Sequence, residues 1–199
     1  MMKTIEYYFS PKSPWTYLGH ERMLELARRH GAIVEPRPMD LARVFPLSGG
    51  LPLDKRPPQR QAYRLTELKR WSQHLGMPLI VQPRFFPVDE TDASKMIASV
   101  AKAGDNDGAL KLSGAMLRAV WAEERNIADA ATLIQIADDC GLDGAALHAG
   151  REAGADLYEH HTDEAIRLQV FGAPWYVYRG EPYWGQDRLE FLERALAGD

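Results

Sequence analysis

The chain has 199 residues, of which 45% are hydrophobic, so it can bury a full core without disulfides or metals. Charged residues make up 26% of the chain and its formal net charge is −4, which argues against nucleic-acid binding because a nucleic-acid surface needs a basic excess. The single cysteine, Cys140, cannot form an internal disulfide and indicates a reducing compartment.

The N-terminal segment predicts a β-α-β unit. Residues 5–9 are β-branched and aromatic, as in a strand, and Pro11 follows as a strand-ending signal. A helix comes next and closes at Gly31, and residues 32–38 form a second short strand. The chain starts with a strand rather than an apolar signal region, and no run approaches the ~20 apolar residues that cross a bilayer. We therefore expect a cytoplasmic protein that is not bound to a membrane.

The middle segment, residues 46–168, is predicted to be almost entirely helical. Apolar residues recur along it at helical spacing; Leu112, Met116 and Ala119, for example, fall on one face of a predicted helix. The segment contains no repeat and no linker long enough to separate independent domains. We expect this helical insert to supply the crossover connection that a parallel sheet requires.

The C-terminal segment returns to strand character. Two short runs, residues 175–178 and 182–184, flank a turn, and Asp187 can cap a final helix. The order along the chain is therefore β-α-β, helical insert, β-β-α. This order predicts an α/β fold, in which a thioredoxin-like domain of residues 1–45 and 169–199 carries an all-helical domain inserted between its two halves.

The junction of the first strand and the first helix carries the sequence Ser13-Pro14-Trp15-Thr16. A helix N-terminus offers unpaired N–H groups and the positive end of the helix dipole, so an anion is stable there. Thiol-disulfide enzymes place C-x-x-C at this position, whereas hydroxyls occupy both cysteine positions here, which excludes disulfide exchange. Ser13 can instead donate a hydrogen bond to the thiolate of another molecule. The alternative is that Ser13 only caps the helix.

Two further segments carry candidate site residues. Ala173-Pro174 directly precedes a strand, where a cis proline would expose the backbone of Ala173 to an extended peptide. The alternative there is an ordinary edge-strand proline. Gln186 and Asp187 precede the final helix, where they could bind the amino and carboxylate ends of a γ-glutamyl group. The alternative is that Asp187 only caps that helix.

Other residues have simpler interpretations. The adjacent His160 and His161 do not share a helix face, so we expect no metal site. Phe45 and Phe86 could line an apolar acceptor pocket that faces Ser13, and core packing is the equal alternative.

Together and in this order, these segments resemble the 2-hydroxychromene-2-carboxylate isomerases. That family is close to the kappa-class glutathione transferases, within the bacterial disulfide-oxidase superfamily of the thioredoxin fold. The resemblance covers nearly the whole chain and is carried by YYFSPKSPWTYLGHE, MDLARVF, RQAYRLTELKRWSQHLGMPL and VFGAPWYVYRGEPYWGQDRLEFLE. The last stretch is specific because it joins the loop that contains Ala173-Pro174, a hairpin and a G-x-D-R helix start at the spacing of the family.

The resemblance implies a glutathione site. Ser13 matches the family serine that hydrogen-bonds the glutathione sulfur. Ala173, before a presumed cis Pro174, matches the position whose backbone pairs with the cysteinyl part of glutathione. Gln186 and Asp187 match the pair that binds the γ-glutamyl end.

The chain departs from the family pattern at two places. Arg60 matches a basic residue near the glycyl carboxylate in kappa-class relatives, but the loop at residues 48–58 has no clear counterpart of an asparagine common in the family. Residues 10–12 are also more polar than the family pattern. The first departure concerns the thiol site, and the second concerns the shape of the acceptor side.

The resemblance also implies an activity. A glutathione thiolate would add reversibly to a double bond of a small aromatic ring-cleavage product, so that cis-trans isomerisation consumes no glutathione. A transferase that keeps the adduct and a non-catalytic glutathione binder are the alternatives. The family pattern implies a homodimer.

Overall fold

The computed structural model describes residues 2–198, so the predicted domain limits at residues 1 and 199 lie outside the described residues. No helix in this range combines the length and the apolar character needed to cross a membrane. The strands and α-helices of the range are, in chain order, β1 (Lys3–Phe9), α1 (Pro14–Arg29), β2 (Ala32–Pro38), α2 (Leu41–Val44), α3 (Pro58–Leu75), α4 (Thr91–Lys102), α5 (Asn106–Trp121), α6 (Ala130–Asp139), α7 (Gly144–Ala149), α8 (Ala155–Arg167), β3 (Trp175–Tyr178), β4 (Glu181–Trp184) and α9 (Leu189–Ala197).

The strands form one sheet in the order β2-β1-β3-β4. β1 and β2 are parallel, and α1 is the crossover between them. β3 runs antiparallel to both β1 and β4. The predicted order of elements is confirmed, but the expectation that the insert supplies the parallel crossover is wrong. The insert connects β2 to β3, which runs antiparallel to β1 on the opposite side of that strand.

The helices of the insert pack against the sheet. One buried cluster contains Ile5 of β1, Met96 of α4, Leu117 of α5 and Leu192 of α9, all fully buried. Burial of apolar side chains is the main favourable contribution to folding, so the insert and the sheet stabilise each other. The division of the chain into two domains stays a prediction.

The strand register brings four chain segments to one edge of the sheet. Tyr8 near the end of β1 pairs with Trp175 at the start of β3, and Trp175 pairs with Trp184 at the end of β4. Phe9 pairs with Pro38 at the end of β2. The segments after β1, after β2, before β3 and after β4 therefore meet at the same edge, which we call the site edge.

The two helix starts at the site edge differ. Ser13 Oγ accepts a hydrogen bond from the N–H of Thr16 at 3.2 Å and caps α1, as predicted. The prediction that Asp187 caps the last helix is wrong, because its carboxylate pairs with the Arg188 guanidinium. Asp187 lies in a 3-10 turn, and α9 begins after it, at Leu189, without a side-chain cap.

A buried hydrogen-bond chain crosses from the sheet to the insert. The Tyr7 hydroxyl donates to His20 Nδ1 at 3.1 Å, and His20 Nε2–H donates to the carbonyl oxygen of Leu110 at 3.0 Å. The carbonyl oxygen can only accept, so Nε2 carries a proton, and in the neutral ring Nδ1 then accepts the Tyr7 hydroxyl proton. Burial lowers the pKa of His20 to about 4.

We expect stability to fall as the pH drops from about 6.5 to about 4, because His20 takes up a proton in the unfolded chain before it does in the folded one. In His20→Gln the contribution of this residue to the change of unfolding free energy with pH disappears. His161, whose pKa burial also lowers to about 4, keeps its own contribution in both chains. Urea unfolding near neutral pH and about two pH units lower measures this change in unfolding free energy. Equal changes for the wild type and His20→Gln would contradict the prediction.

Candidate functional site

Ser13 lies at the site edge, where β1 ends and α1 begins. Its Oγ accepts from Thr16, and within residues 2–198 its own hydroxyl proton has no acceptor. Ser13 is 7% exposed, whereas Thr16 is 0% exposed and its hydroxyl oxygen is buried, so Ser13 is the residue of the two that retains exposed surface. The dipole of the 16-residue helix α1 adds positive potential at the same point.

The loop before Ser13 is held by a buried carboxylate of the insert. Glu90 accepts hydrogen bonds from the Ser10 hydroxyl and from the Lys12 N–H at 3.2 Å, and its other oxygen lies 3.3 Å from Lys12 Nζ. Burial raises the pKa of the Glu90 carboxyl, and the charge of Lys12 opposes that rise. The Trp121 indole N–H donates to the Lys12 carbonyl at 3.1 Å. Two insert residues therefore fix the backbone that presents Ser13.

The peptide bond between Ala173 and Pro174 is cis. Ala173 lies before β3, level with the end of β1. Within residues 2–198 neither its N–H nor its carbonyl has a hydrogen-bond partner, whereas the Pro174 carbonyl accepts from the Gly185 N–H at 2.9 Å. The backbone of Ala173 therefore offers a donor and an acceptor to an extended ligand.

Gln186 and Asp187 lie in the turn after β4. The Gln186 side-chain oxygen accepts from Arg22 at 2.6 Å, which leaves the amide NH2 as a donor for a ligand. α1 approaches this turn closely at Gly19, where an added Cβ would lie 2.8 Å from Gln186 Cβ. The turn therefore presents an amide donor, held in place by α1, beside a carboxylate that pairs with Arg188.

A cavity of about 670 Å³ opens where these segments meet. Ser13, Pro174 and Phe86 are not among its lining residues, but Trp15, two residues after Ser13, is. Phe86 packs on Trp121 with their ring centroids 4.8 Å apart. The predicted site residues that do line the cavity are Phe45, Arg60, Ala173, Gln186 and Asp187.

The cavity wall is rich in arginine, which the sequence prediction missed except for Arg60. Within residues 2–198 four arginines and two carboxylates line the cavity, so its wall is positive although the chain carries a net charge of −4. The interval of four between residues 60 and 64 is the signal that reveals Arg64, because it places the two arginines on one helix face, and Arg56 lies two residues before that helix. The six charged residues are Arg56, Arg60, Arg64, Arg188, Glu67 and Asp187.

The site edge therefore carries a hydroxyl, amide groups and guanidinium groups, all of which donate hydrogen bonds to anions. No group of three His, Cys, Asp or Glu side chains suited to a metal ion occurs among residues 2–198. The arrangement suits an extended ligand with more than one negative group.

Comparisons with known proteins agree with this fold. Residues 4–197 match the family model described as the DsbA-like thioredoxin domain. The chain is 30% identical to the 2-hydroxychromene-2-carboxylate isomerase of Sphingobium xenophagum, over 98% of this chain and 99% of the relative. It is 24% identical to glutathione S-transferase kappa 1 of Rattus norvegicus, over 98% of this chain and 91% of the relative.

A solved structure of a 2-hydroxychromene-2-carboxylate isomerase has the same fold. It superposes with a TM-score of 0.80 at 27% sequence identity, covering 98% of this chain and 94% of that one. These similarities confirm the predicted thioredoxin-like α/β fold.

We expect Glu90→Ala to lower the free energy of unfolding by about 3 kcal/mol, because Lys12 and the Ser10 hydroxyl lose their buried partner. The matched control is Glu152→Ala, which removes the exposed partner of Lys95 and should cost less than about 1 kcal/mol. Urea unfolding measures both variants. Similar losses for the two would mean that Glu90 does not anchor the loop.

Proposed function

We propose, from the premise that the chain belongs to the DsbA-like thioredoxin-domain family and, within it, to the 2-hydroxychromene-2-carboxylate isomerases, that it is a glutathione-dependent cis-trans isomerase of aromatic ring-cleavage products. The observation that carries this proposal is the free hydroxyl of Ser13 at the start of α1, where a thiol-disulfide enzyme has a cysteine. A hydroxyl cannot exchange disulfides, but it can donate a hydrogen bond to a thiolate that a ligand brings.

The residues at the site edge fit glutathione. The unpaired N–H and carbonyl of Ala173 would pair with the extended cysteinyl part. The Gln186 amide would donate to the γ-glutamyl carboxylate, and Asp187 would accept from its ammonium group. Arg60, on the cavity wall and exposed, would lie near the glycyl carboxylate.

When bound, glutathione would supply a thiolate that adds reversibly to a conjugated double bond, so that the bond rotates and the thiol is returned. A free thiol has a pKa of ~8.5, and each unit of lowering requires ~1.4 kcal/mol. One hydrogen bond from Ser13 to a charged sulfur supplies a stabilisation of about that size, and the N-terminus of α1 adds to it. The role of Ser13 is thus to hold the anionic form at neutral pH.

The similarity to glutathione S-transferase kappa 1 favours a second candidate function, a transferase that conjugates glutathione and keeps the adduct. The two functions differ in the fate of glutathione. We expect the chain to turn over 2-hydroxychromene-2-carboxylate many times per glutathione, with the free thiol concentration unchanged. Stoichiometric thiol loss would support the transferase instead, and insulin reduction should stay at background in either case.

Ser13→Ala should lower turnover ~10-fold or more, because the bound thiolate loses a positioned donor. The variant also loses the cap of α1, which costs about 1 kcal/mol and leaves the chain folded. The ultraviolet absorbance of bound thiolate, followed against pH, should show the thiol pKa moving up towards its value in water. Steady-state kinetics and this titration are the two measurements.

Asp105→Ala is the matched control for the lost cap. Asp105 caps α5, a helix of 16 residues like α1, by accepting from the Gly108 N–H at 2.8 Å. Its loss should destabilise the chain to a similar degree and leave turnover unchanged. Equal rates for Ser13→Ala and the wild type would point to a non-catalytic glutathione binder.

The same proposal extends to compartment and partners. We place the protein in the cytoplasm, whose glutathione pool keeps thiols reduced, and assign it a small aromatic substrate and no nucleic-acid or membrane partner. By family pattern it acts as a homodimer, which sedimentation analysis of the purified chain would test.

A further inference from the structure

Three arginines, two of them on one face of α3, line one wall of the cavity. Arg56 lies two residues before α3, Arg60 and Arg64 lie within it at intervals of four, and all three line the cavity. Like charges at this spacing destabilise a helix. Within residues 2–198 none of the three has an ion-pair partner, whereas Arg70 further along the same helix pairs with Glu67. The wall therefore holds positive charge that the described chain does not neutralise.

Arg64 is the most enclosed of these arginines. Its guanidinium carbon lies 5.2 Å from the ring centroid of Phe86 and 5.6 Å from that of Trp121. Burial, together with repulsion from Arg56, lowers the pKa of Arg64 to about 10. Within residues 2–198 its N–H groups have no hydrogen-bond acceptor. The aromatic rings thus hold the cation while all five of its donors remain free for a ligand.

The surroundings of Arg64 also connect it to the start of α1. Trp121, which lies beside the guanidinium, donates its indole N–H to the carbonyl of Lys12 at 3.1 Å. Lys12 is the residue directly before Ser13. Trp121 therefore contacts both Arg64 and the residue that precedes Ser13.

We propose that Arg64 binds the carboxylate of the acceptor substrate, and so selects electrophiles that carry a carboxylate next to their conjugated system. The planar guanidinium can grip a carboxylate with two parallel hydrogen bonds, which fixes the orientation of the ligand as well as its position. Arg60, one turn away and exposed, stays available for the glycyl carboxylate of glutathione. The inference rests on the proposed function at one point only, where it identifies the ligand of Arg60 as glutathione.

The experiment uses two ligands that differ only in the carboxylate. trans-Benzylidenepyruvate carries one, and benzylideneacetone has a methyl group in its place. In calorimetric titrations without glutathione, Arg64→Met should weaken benzylidenepyruvate binding ~10-fold or more and change benzylideneacetone binding less than about two-fold. Methionine keeps the apolar stem and removes the charge. Arg64→Lys should restore only part of the affinity, because an ammonium group cannot form two parallel hydrogen bonds to a carboxylate.

Two controls separate binding from a structural role. Arg70→Met removes an exposed, paired arginine from the same helix and should leave both affinities unchanged. Arg64→Met should unfold at a temperature no lower than the wild type does, because it removes a half-buried cation that lacks an ion-pair partner and retains an apolar side chain beside Phe86 and Trp121. Benzylidenepyruvate should raise the unfolding temperature of the wild type and not that of Arg64→Met.

Three results would overturn the inference: equal weakening of both ligands in Arg64→Met, no binding of benzylidenepyruvate by the wild type, or a loss of glutathione affinity with benzylidenepyruvate binding intact. The last result would assign Arg64 to the tripeptide. A chain that binds benzylidenepyruvate through Arg64 but does not isomerise ring-cleavage products with glutathione would contradict the proposed function and leave this inference standing.

Discussion

The antiparallel pairing of β3 with β1 is the constraint on which the site depends. It places Trp175 opposite Tyr8, so the loop that contains Pro174 ends level with the point where the segment leading into α1 begins. A slip of one residue would turn every side chain of β3 to the other face of the sheet. Tyr7 and Tyr176, stacked in the core with ring centroids 5.4 Å apart, oppose such a slip because they pack only in this register. The geometry at the surface is therefore set by packing beneath it.

The insert completes the site from the other side. Glu90 and Lys12 neutralise each other, so their contribution to the site is geometric and adds little to the field at Ser13. A buried carboxylate stabilises a loop only when its oxygens are satisfied, and Glu90 meets that condition through Ser10 and Lys12. The field that remains comes from the dipole of α1 and from the unpaired arginines of α3.

Local patterns predicted most of the fold, because strands, helix starts and turns are set by neighbouring residues. The motif at Ser13 is such a pattern, and its cap was predicted correctly. The capping role of Asp187 was predicted wrongly, because the path of the turn decides whether this carboxylate caps a helix or pairs with Arg188. Glu90 could not be found either: its partner Ser10 lies 80 residues away, and no local rule links a residue of the insert to a loop of the sheet. The prediction that the insert forms the parallel crossover failed for the same reason, because strand direction is a property of the assembled sheet.

Replacing a cysteine with Ser13 changes what the rest of the site must do. A disulfide enzyme forms a covalent bond with its substrate, and that bond itself brings the sulfur atoms together. A site with a hydroxyl must position both reactants by non-covalent contacts alone, so it needs separate contacts for each. Charged groups left without partners lower stability, and folded chains retain them mainly at functional sites. The unpaired arginines of α3 are consistent with that requirement, since they line the same cavity as Trp15, two residues after Ser13, and offer more than one position for an anion.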